Sequence, residues 1–227
     1  MTSRPRVVVA WSTGKDGAWA LHQVRQGGEV EVVGLLTTIT RPFDRVSMHG
    51  VRTELLEAQG RALGLEVFPV PIPHPCPNEV YERAMEEALG RLRSRGVSSV
   101  VFGDLFLTDV REYRERQMAS TGLTPLFPLW GRPTPELARE MIDGGLDATV
   151  VCLDPRQVPA RLAGRRFDRS FLAELPEGVD PCGERGEFHT CVTGGPMFSR
   201  AIEVRPGEVV EREGFVFADL ALARREP

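Results

Sequence analysis

The sequence predicts an α/β protein in which a parallel, doubly wound sheet fills the first half and a smaller C-terminal α/β domain follows. Three observations carry this. Apolar, β-branched runs alternate with helix-like segments through residues 6–120. Most of those helical segments are closed by glycine. The second strand-like run is nearly continuous in its apolar character, as parallel strands covered on both faces are.

Taken in order, residues 6–11 contain three successive valines and read as the first strand. Residues 15–26 read as a helix stopped by Gly27 and Gly28. Residues 30–38 form a buried strand, 51–63 a helix ended by Gly64, and 66–70 a strand. A stiff proline loop covers 71–77, then come a helix over 79–95, a strand over 99–102 and a helix over 110–120. Right-handed crossovers between such strands wind the sheet both ways.

A turn-rich stretch over 127–131 marks the junction, and the domains are placed at 1–124 and 125–227. Beyond it, a helix is expected over 133–144, a strand over 147–153 and a short helix over 168–175. A polar segment over 180–190 follows. Three strands are expected around 199–204, 208–212 and 215–221, with a hairpin turn at Pro206-Gly207.

Composition narrows the function. A net charge of −4 argues against general nucleic-acid binding, which needs a basic face to release counterions. No apolar run approaches the roughly 18 residues of a membrane helix, and the mean hydropathy is −0.18. A cytoplasmic protein with no membrane partner is expected. Cys76, Cys152, Cys182 and Cys191 form no C-x-x-C pair, so they read as reduced thiols, most of them buried. Lys and Arg together number 28, yet Lys15 is the sole lysine. It falls in the loop after the first strand, Ser12-Thr13-Gly14-Lys15-Asp16-Gly17. Small residues between a buried strand and a helix start let backbone N–H groups approach an anion at the positive end of the helix. The spacing is not that of a Walker A loop, because Val9 stands where its first glycine belongs.

This loop resembles the S-G-G-K-D-S loop of the PP-loop ATP pyrophosphatases, the adenine nucleotide alpha hydrolase superfamily. Met48-His49-Gly50-Val51, Gly103-Asp104 and the run from Gly183 to Thr190, G-E-R-G-E-F-H-T, resemble the diphthine–ammonia ligase family. The likeness spans roughly residues 6–222. It implies a Rossmann-like HUP domain with ATP at the carboxyl edge of its sheet and the second domain closing over it. Three residues depart from the pattern. Thr13 stands for a glycine, Gly17 for a serine and Arg185 for a glycine. The family's Arg-x-Glu after Gly-Asp is matched at Glu115, with Arg111 and Arg114 off register.

The resemblance implies ATP and Mg²⁺ as cofactors, ammonia and a carboxylate-bearing substrate (on a protein in one version) as partners, and compatibility with a homodimer. The short chain is expected to be a prokaryotic member. Ser12, Thr13, Gly14, Lys15, Asp16, Gly17, Thr37, Thr38, His49, Gly103 and Asp104 are the candidate nucleotide-binding residues. Asp16 either orients the metal or is a first-turn acid favoured by the helix dipole. Asp104 follows a strand at its carboxyl end, where open α/β sheets bind ligands. Lys15, Glu184, Glu187 and His189 are the catalytic candidates, with Glu187 and His189 expected on one face of an extended segment. The implied reaction activates a carboxylate by adenylation and amidates it. A tRNA-modifying enzyme and a non-catalytic nucleotide sensor are the competing readings.

Overall fold

A computed structural model describes residues 4–223. The first sheet contains the parallel strands β1 (Arg6–Ala10), β2 (Glu31–Thr40), β4 (Glu66–Ile72), β5 (Val97–Val101) and β6 (Thr124–Leu126). They lie side by side as β4, β2, β1, β5, β6. The two-residue β3 (Arg45–Val46) pairs antiparallel with the carboxyl end of β2. The winding direction reverses between β1 and β5. The crevice at the carboxyl ends of those two strands is therefore the topological switch point.

Helices α1 (Lys15–Gly27) and α2 (Thr53–Leu63) cover one face, and α3 (Asn78–Ser94) and α4 (Thr108–Ala119) the other. Strand alternation sorts the side chains. Val7 and Val9 pack with α1 and α2, while Val8 faces the α3 and α4 side. Both faces of β1 are thus buried, as its run of valines requires.

The C-terminal part contributes α5 (Thr134–Asp143), β7 (Asp147–Leu153), α6 (Arg169–Ala173), β8 (Phe188–Gly194), β9 (Val204–Arg212) and β10 (Phe215–Leu222). Its antiparallel sheet runs β8, β7, β10, β9. This sheet shares one core with α1 and α2. Trp11, Trp19, Leu55 and Leu56 join Val150, Leu153, Phe167, Phe188 and Val216 in a single buried cluster. The second part is welded to the first by apolar packing. Among the described residues no helix is long and apolar enough to cross a membrane.

Several expectations are corrected. No turn forms at Pro206-Gly207. β9 runs through it with Pro206 opposite Leu220, and the hairpin turns at Glu213 and Gly214 instead. A proline is tolerated there because β9 is an edge strand. Residues 199–203 form no strand, and an unexpected strand, β8, begins at Phe188 inside the polar segment and runs on to Gly194. β4 continues through Pro69 and Pro71, again at a sheet edge. The division placed at 124/125 falls inside β6, which pairs with β5 in the first sheet.

Candidate active site

The loop from Ser12 to Gly14 leaves β1 and enters α1 at the switch point. Gly14 caps α1 without a side-chain hydrogen bond. A helix start leaves its first N–H groups unpaired, and here Lys15 N donates to Thr190 Oγ1 at 3.1 Å. Thr13 has φ of 72°. A β-branched residue in the left-handed region costs about 1–3 kcal/mol, so surrounding contacts must hold it there. Gly103, at the end of β5, sits against this turn. A Cβ at Gly103 would lie 2.7 Å from both Asp16 C and Gly17 N, which allows only glycine. A Cβ on Gly14 would meet His49 Cε1 at 2.9 Å, so the loop and the His49 turn are also in close contact.

An open cavity of about 800 Å³ lies over this junction. Ser12, Lys15, Asp16, Gly17, Thr38, His49, Gly103, Asp104, Glu184 and His189 all line it. Segments separated by more than 100 residues in sequence therefore converge as expected. Thr13, Gly14, Thr37 and Glu187 do not line it. Thr13 and Gly14 shape the loop from behind. Thr37 points away from Thr38, as neighbours on a strand do, and its buried hydroxyl has no partner.

Glu187 departs most from expectation. It precedes β8, so it does not share an extended face with His189. It is 1% exposed, and its carboxylate accepts Asp180 N at 3.0 Å and Arg185 N at 2.8 Å. It builds the 180–188 loop. Asp180 helps by accepting Glu184 N at 2.9 Å.

Lys15 lines the cavity but is buried, with its ammonium engaged inside the protein. Its ammonium donates to Asp16 Oδ2 at 2.8 Å and to the Cys182 carbonyl, and it lies over the neighbouring rings of Phe167 and Phe188, 5.7 and 5.4 Å from their centroids. Burial opposes the charge, but Asp16 and further neighbours outweigh it, and the Lys15 pKa is raised. The lysine bridges the phosphate-type loop to the second sheet's 180–188 loop. The exposed-side cation of the cavity is Arg114 on α4, 3.7 Å from Asp104 Oδ2 and over the Phe102 ring.

Carboxylates dominate the electrostatics. Burial raises Asp16 and Asp104 above the usual carboxyl range, opposed by Lys15 and Arg114 respectively. Glu184 is pushed up to about 7, first by burial and then by Asp16 and Asp104. Leu105 N donates to Glu184 Oε1 at 2.7 Å and fixes its orientation. His49 and His189 pack against each other with ring centroids 4.5 Å apart and planes tilted by 31°. Burial lowers both, His189 to about 4, so both rings are neutral near pH 7. His49 Nδ1 lies 3.2 Å from Thr190 O. Since a carbonyl only accepts, Nδ1 carries the proton and Nε2 is left as an acceptor.

Tyr81, Tyr113 and Arg114 also line the cavity, with Leu36, Ile72, Met85 and Phe102 on its apolar side. No motif marks the two tyrosines. Arg114 stands one residue before the matched Glu115, and its off-register position conceals it.

A parallel sheet with a small-residue loop and a cavity at its switch point, over the start of α1, defines an open α/β protein with the crevice in which such sheets take their ligands. Residues 5–125 match the family model for the diphthamide synthase N-terminal domain, and residues 133–222 match that for the diphthamide synthase C-terminal domain. The chain belongs to the diphthamide synthase family. It is 33% identical over 124 residues to a Homo sapiens protein named diphthine–ammonia ligase, covering 52% of this chain and 46% of that one. The Bos taurus diphthine–ammonia ligase is 32% identical over 124 residues, at 52% and 46% coverage. The Schizosaccharomyces pombe diphthine–ammonia ligase is 27% identical over 119 residues, covering 51% of this chain and 20% of that one. The chain thus spans about half the length, or less, of the curated relatives it matches.

Proposed function

We propose that this chain is an ATP-dependent amide-forming ligase. It would hold the ATP phosphates against Ser12–Gly17 and join ammonia to a substrate carboxylate, with AMP and pyrophosphate as products. The carrying observation is the convergence of the loop, Gly103-Asp104 and the Gly183–Thr190 segment on one cavity. The relatives named diphthine–ammonia ligase supply the reaction class. The first sheet and its helices would hold the nucleotide, and the C-terminal part from α5 onward the acyl substrate.

The reaction has two balanced steps. The substrate carboxylate attacks the α-phosphate and pyrophosphate leaves, and ammonia then displaces AMP from the acyl-adenylate and loses a proton. Loop N–H groups and the Ser12 hydroxyl meet the phosphates, and Arg114, whose Nε lies 3.7 Å from Asp104 Oδ2, offers a cation. Preorganised donors of this kind are typically worth on the order of 10²–10³ in rate each. Tyr81, Tyr113 and the apolar wall suit the adenine. Glu184, held at Oε1 and titrating near 7, is the proton acceptor when ammonia attacks. The neutral rings of His49 and His189 provide hydrogen bonds without adding charge.

Mg²⁺ fits the donors present. Asp16 Oδ1 and Asp104 Oδ2 are buried oxygens with no hydrogen-bond partner. Among the described residues no three His, Cys, Asp or Glu side chains are grouped to hold a metal. Mg²⁺ characteristically takes one or two carboxylates and completes its shell with water and phosphate oxygens. Bound to Asp16 and Asp104, it would neutralise charge between these carboxylates and the phosphates.

The test supplies ATP, Mg²⁺ and ammonium, with cell extract as the source of acceptor. Extract-dependent AMP and pyrophosphate, lost in Lys15→Ala, are expected. ADP and phosphate as products, or ATP binding without turnover in any extract, would remove the ligase reading.

A further inference from the structure

Gln59 lies within α2 and is 0% exposed. Its amide orientation is forced. The indole Nε1 of Trp11 is a donor only, so the atom it meets at 2.8 Å is Gln59 Oε1. Nε2 then donates to Val192 O at 2.7 Å and to Thr13 O at 3.2 Å. Both amide protons are used. Thr13 O receives a second bond from Val192 N at 2.9 Å. The carbonyl of the one β-branched residue with positive φ in the loop is therefore gripped from two elements, α2 and β8.

That grip has a physical purpose. A threonine at φ 72° crowds its Cβ against the backbone. Released, Thr13 would relax to negative φ. The peptide planes on either side of it would rotate, and the N–H groups entering α1 would be re-aimed. Neither Thr13 nor Gln59 lines the cavity, so any effect on ligand must act through loop shape.

We propose that Gln59 is a positioning residue: it clamps the Thr13 carbonyl, holds the phosphate loop in its anion-accepting shape, and ties that shape to β8, the strand of His189 and Thr190. The inference rests on the ATP reading only for the ligand used as probe. If the clamp exists to hold a strained threonine, then glycine at position 13 makes the clamp dispensable. An amide that merely satisfies a core would show no such coupling.

The test is a double-mutant cycle in the full chain with Gln59→Met, Thr13→Gly and the pair. The first readout is amide hydrogen exchange. Gln59→Met should speed exchange at Val192 and Lys15 by about tenfold or more, leaving Val8 and Val100 in the first sheet unchanged. Adding Thr13→Gly should restore their protection. The second readout is binding of ATP with Mg²⁺. Gln59→Met should weaken it about tenfold, and the double variant should return to within about threefold of Thr13→Gly alone. Uniform acceleration across the sheet, or additive effects with no restoration, overturns the proposal. If the wild type binds no ATP, the ligase reading fails, and the exchange cycle still decides the clamp by the same criterion.

Discussion

Gly103 and Asp16 touch through their backbones: a Cβ on Gly103 would lie 2.7 Å from the Asp16 carbonyl carbon. The end of β5 thereby sets the position of the first turn of α1. Gly103→Ala must push that turn aside. Overpacking of this kind costs about 1–3 kcal/mol. The variant should fold with a lowered melting temperature and lose ATP affinity by tenfold or more, measured by calorimetry and thermal melts.

Lys15 joins the loop to the Cys182 carbonyl and lies over two adjacent aromatic rings. Lys15→Ala removes the bridge, and Lys15→Arg should fail almost as badly. A planar guanidinium fork is broader than an ammonium and does not fit the same slot. Both should lower kcat by about 10²–10³, read in steady-state assays of AMP release.

Glu184 titrates near 7 because burial and two neighbouring carboxylates disfavour its charge. As proton acceptor it must be ionised, so kcat should fall as pH drops below about 7. Glu184→Gln should remove that limb. Stability moves the other way. Between 4.5 and about 7 the folded chain keeps a proton that the unfolded chain has lost, so stability from this group falls as pH rises. Urea titrations at several pH values should show a flatter profile in Glu184→Gln.

His189 has the opposite linkage. Its pKa drops from 6.5 to about 4, so between those values the unfolded chain binds a proton that the folded chain refuses. Stability from this group is present above 6.5 and is lost as pH falls through the window. His189→Asn should lessen acid destabilisation between pH 6 and 4, followed by denaturant titration.

Asp219 on β10 accepts from Arg45 at 2.8 Å and from Arg52 at 2.6 Å. Arg45 also holds Gly50 O at 2.7 Å, next to His49. Asp219→Ala should cost about 1–2 kcal/mol, as a partly exposed, networked ion pair does. It should also broaden the His49 resonances in NMR spectra, because the turn loses its anchor.

The order of strands and helices through the first half was legible because β1 carries an unbroken apolar run, β2 and β5 are rich in apolar, β-branched residues, and most helices end in glycine. The loop was legible because small residues and a lone lysine follow the first strand. Other features lay beyond local pattern. β8 carries His189 and Thr190 in a segment whose polar residues serve the site, so it lacks apolar alternation. Glu187 was paired with His189 by assuming an extended chain one residue too early. Its carboxylate instead caps backbone N–H groups, a use that spacing does not reveal. Pro206-Gly207 has the composition of a turn, but an edge strand can carry both residues. Tyr81, Tyr113 and Gln59 sit on helices that reach the loop or cavity only through the tertiary fold.

The most direct test of the ligase reading follows nitrogen. The protein is given ¹⁵N-ammonium, ATP, Mg²⁺ and the acceptor fraction that supports turnover, and label in acid-stable amide is compared with AMP formed. One equivalent of ¹⁵N-amide per AMP, absent in Lys15→Ala, is the predicted result. AMP released without labelled amide, or labelled amide formed with ADP, would contradict it.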